Sequence, residues 1–280
     1  MKNKRSWSQL PEYITTIHRA YLPVLYLVCI VFLAAGFVRA EELRQGIPDR
    51  EIFRTIFGGE EYLQYEISWT GGIKIGDMTL AVRKEKDGTA VIHARVTDSG
   101  IFRFFYPVDD TFTTFVRGPL RLPYRYEVLQ KEGRGSVNRR LTIYEQEDLQ
   151  VRYRRNDEEV MEFSIAGPVH NEFSSFYATR AMEIVPGSEF IVPTFADRKR
   201  NEVKVDVRGR EELDTVLGRV ETVTVMPIMK FKGLYDKAGD TVIWLTDDGC
   251  RVPVKINSKI LIGSLTATLV GYSNPACGIY

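Results

Sequence analysis

Near its end the chain reads WLTDDGCRVPVKI, from Trp244 to Ile256, setting two adjacent carboxylates, Asp247 and Asp248, beside the thiol of Cys250. Paired carboxylates can divide into a general acid and a general base, but only where burial or a neighbour drives their pKa values apart. Here both flanks alternate like strands, at Thr241–Thr246 and Arg251–Ile256. Asp-Gly between two strands is a hairpin signal, because such turns need positive φ. The two aspartates are therefore expected at a solvent-facing turn. Asp109 and Asp110 follow Tyr106-Pro107-Val108 with no third ligand at a recognisable spacing, and read as a turn and strand start. His93 lies on a strand with Val91 and Arg95, and His170 stands just before a helix. A serine nucleophile needs a histidine oriented by a third group, and Ser174 and Ser175 lack the G-x-S-x-G elbow. They read as small residues on a packed helix. Gly71-Gly72 and Gly76 precede no helix, so they form neither a P-loop nor a dinucleotide fingerprint. These residues assign no catalytic group, no metal site and no cofactor.

What remains is apolar. Phe102, Phe104, Phe105 and Tyr106 cluster in GIFRFFYPVDD, and Phe173, Phe176 and Tyr177 recur at helical spacing. One reading is core packing; the other is the wall of a cavity for an apolar ligand, as a curved sheet around a helix provides. The candidate lining residues are Trp69, Phe105, Phe173, Phe176, Tyr177 and Trp244.

Period-two patterning dominates the elements that would position them. Leu63, Tyr65, Ile67 and Trp69 share one face of Tyr62–Trp69, and Met78, Leu80 and Val82 alternate with polar neighbours before Lys86-Asp87-Gly88 turns the chain. In all there are about a dozen such strands. They are interrupted by one principal helix in Asn171–Ile184, with Asn171 as N-cap and Glu172 in the first turn. A shorter helical segment is expected at Pro48–Phe57. Local hairpin signals predict a mainly β fold: a large curved, mostly antiparallel sheet or a barrel-like meander, with the helix against its mouth or concave side.

The N-terminus is of another kind. Lys2, Lys4, Arg5 and Arg19 precede the uncharged run 21–38, and Val38 and Ala40 take the −3 and −1 positions of a cleavage site. This reads as a signal peptide over 1–40; the alternative is a retained inner-membrane anchor, contacting the membrane through 21–38. Cys29 is an inert residue of that run. Residues 41–58 are expected as a linker with a short helix and 59–280 as one β-rich domain. Either reading places that domain outside the cytoplasm, in a periplasm.

The whole chain has 38 basic and 37 acidic residues. Residues 1–40 hold five of the former and one of the latter, so the exported part is mildly acidic. That excludes the one-sided basic field of general nucleic-acid binding, and the clusters 134–140, 152–155 and 198–200 read as solvated strand faces. Cys250 and Cys277 are the two cysteines beyond residue 40, and an oxidising compartment favours a disulfide between them.

Several segments together resemble the domain-of-unknown-function 3108 family of exported bacterial proteins. They are Gly59–Trp69 with Gly76–Leu80, the helix Asn171–Arg180 against that family's Asp, Ser, Tyr and Arg, and Trp244–Asp248 with Arg251–Val254 and Ile262–Leu265. Asn171 stands where the family usually shows an acid. The resemblance implies an exported, mainly β domain with no established activity, and by analogy of fold it points to envelope carriers of lipids and lipoproteins. The expectation is a non-enzymatic protein binding a hydrophobic or amphipathic, lipid-like ligand. Two alternatives stand beside it: a module that binds an envelope protein partner, and a hydrolase acting on an envelope polymer.

Overall fold

The computed structural model describes residues 44–100, 102–133, 135–228, 241–260 and 262–280; the segment 1–40, read as signal or anchor, lies outside them. No helix among the described residues is long and apolar enough to cross a membrane.

Two up-and-down meanders make the sheet. The first runs β1 (Tyr62–Trp69), β2 (Ile73–Lys84), β3 (Ala90–Asp98), β4 (Asp109–Arg117), β5 (Leu122–Glu132), β6 (Ser136–Glu145), β7 (Gln150–Arg155) and β8 (Met161–Ser164). The second runs β9 (Glu189–Ala196), β10 (Lys199–Thr215), β11 (Gly218–Ile228), β12 (Thr241–Thr246), β13 (Pro253–Lys259) and β14 (Ser264–Ser273). Within each meander every strand pairs antiparallel with its successor, and β1 pairs with β14. The described residues thus form one sheet of fourteen strands with β8 and β9 at its edges. Tight turns such as that at Gly72, with φ of 80°, let neighbours fold back directly.

Alternation dictates which side chains turn inward. Register places Leu63, Leu80, Ala94 and Phe112 successively across β1 to β4 on one face, and Val207, Val225 and Ile243 across β10 to β12. That face is the concave one and holds the core. The sheet is not closed by hydrogen bonds. Its edges meet through side chains, Phe163 of β8 standing 5.6 Å from Phe195 of β9. The outer edge of β9 is covered by single bridges from Gln45 and His170, which occupies groups that would otherwise template another strand.

Among the described residues three helices accompany the sheet: α1 (Arg50–Gly58), the single turn α2 (Phe102–Phe105) and α3 (Glu172–Arg180). Asp49 caps α1, accepting the N–H groups of Glu51 and Ile52 at 2.8 and 3.2 Å. Ile52, Phe53, Ile56 and Phe57 recur at helical spacing and are all buried in the core with Val82, Ile92 and Val116. Helix α1 therefore contributes to the core. In the chain α3 lies between β8 and β9, and it packs against β9, β4 and α1.

The turn between β12 and β13 is longer than the two-residue hairpin expected there. Asp248 Oδ1 accepts the N–H groups of Cys250 and Arg251 and the hydroxyl of Thr246, at 2.8 to 3.1 Å. Asp247 pairs with Arg251 at 2.8 Å and with Arg210 of β10. Both aspartates are half-buried and spent on turn structure, where a solvent-facing tip was expected. Cys250 is joined to Cys277 in a disulfide, tying the C-terminal segment to this turn.

Candidate ligand cavity

Helix α3 is fixed at both ends by buried polar groups. At its start Asn171 Oδ1 accepts the Ser174 N–H at 2.8 Å, and Ser174 Oγ accepts the Asn171 N–H at 2.9 Å, a reciprocal capping box. The Asn171 amide also donates to Thr114 Oγ1 of β4 at 2.8 Å, which pins the helix to the sheet. At its end Arg180 makes two parallel bonds to Glu61, Nη1 to Oε2 at 2.7 Å and Nη2 to Oε1 at 2.8 Å. Its Nε donates to the Arg251 carbonyl at 2.9 Å. Both side chains of the pair are wholly buried. Burial alone would disfavour the guanidinium charge, but Glu61 opposite holds it more firmly protonated than usual.

Anchored this way, the helix presents two unlike faces. Tyr177, Ala178 and Ala181 are buried on the side of α1, with the Tyr177 ring 5.8 Å from Phe57. The other side looks onto a hollow of about 230 Å³, walled by Phe173 and Phe176 of the helix and by Met78, Leu80, Ile243 and Ile256 of the sheet. Ser175 and Thr179 of the helix and Thr241 and Ser258 of the sheet add polar atoms. Ligand pockets commonly reach ~300–1,000 Å³, whereas a dry engineered cavity of ~150 Å³ takes up benzene. This hollow fits one short apolar chain, not a bulky ligand.

Glu172 borders that hollow and also a second one of about 100 Å³, where it faces Arg140, Tyr126, Tyr144 and Tyr153. Glu172 is exposed to solvent; partial desolvation by the surrounding protein raises its pKa, and a backbone hydrogen bond and then Arg140 oppose the rise. A wider groove of about 730 Å³ lies among Arg125, Arg139 and Arg154 on the outer face, but it opens to solvent and would shield little apolar surface.

Of the six residues expected to line a cavity, Phe173 and Phe176 stand on its wall. Tyr177 lies on the packed side, its ring beneath the Arg180 guanidinium at 5.0 Å. Trp244 projects from the opposite face of β12, between the inward Ile243 and Leu245; its Nε1 donates to Glu211 at 2.5 Å and Lys255 sits 4.8 Å over its ring. Trp69 ends β1 and donates to the Ile262 carbonyl at 3.0 Å. Phe105 belongs to α2, and its side chain lies outside the described residues.

The two histidines do not meet. His93 is half-buried on the outer face of β3, 3.2 Å from Thr113 Oγ1, and burial followed by the charges of Arg83 and Arg95 lowers its pKa. His170 is buried and burial lowers its pKa to about 4. Its Nδ1 stands 3.2 Å from Ser174 Oγ, a hydroxyl already engaged in the capping box. Among the described residues there is no group of three or more His, Cys, Asp or Glu arranged to hold a metal.

Such an arrangement defines a barrel-like β protein, with an open antiparallel sheet wrapped around a helix and an apolar hollow beneath that helix. The chain belongs to the family described as "Protein of unknown function (DUF3108)", whose model matches residues 64–270. It is similar in fold to a beta-barrel-like protein of domain of unknown function DUF1849 from Brucella abortus, with a TM-score of 0.53 at 11% identity over 77% of this chain and 98% of that one. Weaker likenesses are to the hypothetical protein CT021 from Chlamydia trachomatis, with a TM-score of 0.32 at 6% identity over 76% of this chain and 87% of that one. The MucA/MucB complex of Pseudomonas aeruginosa gives 0.18 at 7% over 80% and 92%. No curated protein matches the chain.

Glu61 and Arg180 were not singled out by sequence reasoning as a pair. The family resemblance quoted both, one in its opening segment and one closing its helix, and that was the available signal.

Proposed function

We propose that this protein binds a hydrophobic or amphipathic ligand in the hollow beneath α3, without catalysing a reaction on it, in the envelope outside the cytoplasm. The observation that carries the reading is the division of α3 into a packed face and a face that looks onto an apolar hollow. Core interiors are packed with few voids larger than a water. The half-open hollow of about 230 Å³, with Phe173, Phe176, Leu80 and Ile243 on its walls, departs from that packing and presents apolar surface that a ligand chain would cover. Each methylene of a chain held there gains about 0.8 kcal/mol from leaving water.

The extracytoplasmic setting draws support from the basic, then apolar N-terminus and from the Cys250–Cys277 disulfide, a bond that persists in oxidising compartments. The non-enzymatic reading draws support from how the polar candidates are used: Asp248 in a turn, Ser174 in a helix cap, and His170 buried beside it. Solvent extraction of the full chain, purified without detergent exchange, followed by mass spectrometry of the extract tests the reading. A near-stoichiometric apolar molecule supports it; an extract empty of apolar species, from protein that also fails to take up short-chain amphiphiles, contradicts it.

A further inference from the structure

Paired strands of this sheet run antiparallel, so its hairpins fall into two sets, one at each end of the strands. The turns β13–β14, β1–β2 and β3–β4 belong to one set and stand side by side, because their strands are consecutive in the sheet. Each carries a large apolar side chain in solvent: Ile262 is 70% exposed, Ile73 51% and Phe104 75%, with Tyr106 near the last at 56%. Single exposed hydrophobic residues are ordinary, whereas a row of them on three adjoining turns marks a contact surface. The turns are also tied together. Trp69 Nε1 donates to the Ile262 carbonyl at 3.0 Å, and the Ser264 N–H donates to Thr70 Oγ1 at 2.8 Å, joining the first two. The Ser99 N–H donates to the Ile75 carbonyl at 2.9 Å, which ties the third to β2. At the other end of the same strands, the β2–β3 turn at 85–89 has no apolar residue.

We infer that this rim docks on a lipid bilayer, with Ile262, Ile73 and Phe104 foremost in the headgroup region. Its relief favours lipid over a folded partner. Apolar tips on three separate turns make neither a groove nor a flat patch, and lipid closes around protruding side chains. The layer behind the tips has the chemistry of a membrane interface. Trp69 and Tyr106 each join an apolar ring to a polar atom that is already bonded, the Tyr106 hydroxyl lying 3.3 Å from Glu132. Arg103 and Lys259 are exposed cations beside them, while the nearby Asp109 is spent on Arg95. Apolar tips backed by cations complement a surface that is anionic at its headgroups and apolar beneath. Turn backbone cannot enter hydrocarbon without losing its hydrogen bonds to water, so the insertion is shallow. The apolar hollow reaches the same end of the sheet: Pro227, Thr241 and Ser258 on its wall are end or next-to-end residues of β11, β12 and β13 there. Docking brings that end of the hollow to the lipid, but does not require the hollow to be filled.

The test puts a nitrobenzoxadiazole label on the full chain, at Ile262→Cys in one protein and at Leu120→Cys in another, each with Cys29→Ser and the Cys250–Cys277 disulfide left intact. Leu120 is also exposed but lies on the β4–β5 turn, at the opposite end of the sheet. Both are mixed with vesicles of phosphatidylethanolamine and phosphatidylglycerol, with and without doxyl groups on the acyl chains. The Ile262 label should brighten, shift to the blue and be quenched by the doxyl lipid. The Leu120 label should do none of these, even where residues 21–38 hold the chain on the vesicle. Adding Ile73→Ser and Phe104→Ser should weaken docking about tenfold or more, read as loss of the Ile262 response. Both side chains are exposed, and matching melting curves establish that the variant folds. An Ile262 label that ignores the vesicles overturns the inference and leaves the rim to a protein partner. Equal responses at both labels overturn it too, as does a response that survives the double substitution. The readout needs no bound ligand, so its failure leaves the ligand reading standing.

Discussion

Arg180 at the end of α3 and Glu61 at the entry to β1 lie 119 positions apart and form a doubly hydrogen-bonded ion pair from which solvent is excluded. The turn held by Asp248 completes it, presenting the Arg251 carbonyl to Arg180 and placing Cys250 for its disulfide. Three distant segments, the opening strand, the helix and the closing hairpin, are thereby fixed to one another at the packed end of the helix. The opposite face is left free to line a hollow.

Removing one partner of this pair strands the other. Arg180→Met and Glu61→Leu should each destabilise the protein by about 3–5 kcal/mol, the usual cost of an uncompensated buried charge. The double variant should recover much of that loss, since an apolar replacement of both leaves no charge behind. Urea denaturation of the three variants checks this. Equal and additive losses in the double variant would show that packing, and not charge, sets the cost.

Reduction of the disulfide should cost about 3 kcal/mol, the entropy of closing the loop from Cys250 to Cys277 in the unfolded chain. Alkylation under denaturing, non-reducing conditions gives the count directly. Neither Cys250 nor Cys277 should react, so a chain that retains residues 1–40 should show one reactive thiol, that of Cys29, and a processed chain none.

Acid should weaken the fold through His170. Its pKa is lowered to about 4 in the folded protein from an ordinary value of 6.5, so between these limits the unfolded chain binds the additional proton. Stability is then undiminished by this group above pH 6.5 and falls as pH drops towards 4, by at most about 1.4 kcal/mol per pH unit. His170→Gln should flatten that part of the curve. An unchanged slope in the variant would assign the acid sensitivity elsewhere.

The strands were legible because the sequence alternates and the hairpin signals are local; Tyr62–Trp69 and Thr241–Thr246 were read to the residue. The mainly β, barrel-like architecture followed from that. Where alternation breaks, the reading stopped short. The alternation of Val203, Val205 and Val207 breaks after Arg208, but β10 continues to Thr215 through a register shift between Val207 and Arg210, because a bulge interrupts the period without ending the pairing. The polar contacts were less legible, since they join residues far apart in sequence. Nothing near Asp247 announces Arg210, and nothing near Glu61 announces Arg180. Glu172 was read as a first-turn acid suited to the helix dipole, which it is, but its place between two hollows depends on how α3 crosses the sheet. The helical spacing of Phe173, Phe176 and Tyr177 put them on one helix; only the packing of α1 decides that Tyr177 faces the core and the two phenylalanines the hollow.

The measurement closest to the central claim is native mass spectrometry of the full chain beside its Ile256→Phe variant, both purified from envelopes in the same way. Ile256 lines the hollow from the sheet side, and a phenyl ring there occupies its space at a stability cost of about 1–3 kcal/mol or less, because room already exists. The wild type should carry an apolar adduct near one per chain, and the folded variant should have lost it. An adduct retained equally by both proteins would place the ligand somewhere other than beneath α3 and contradict the account.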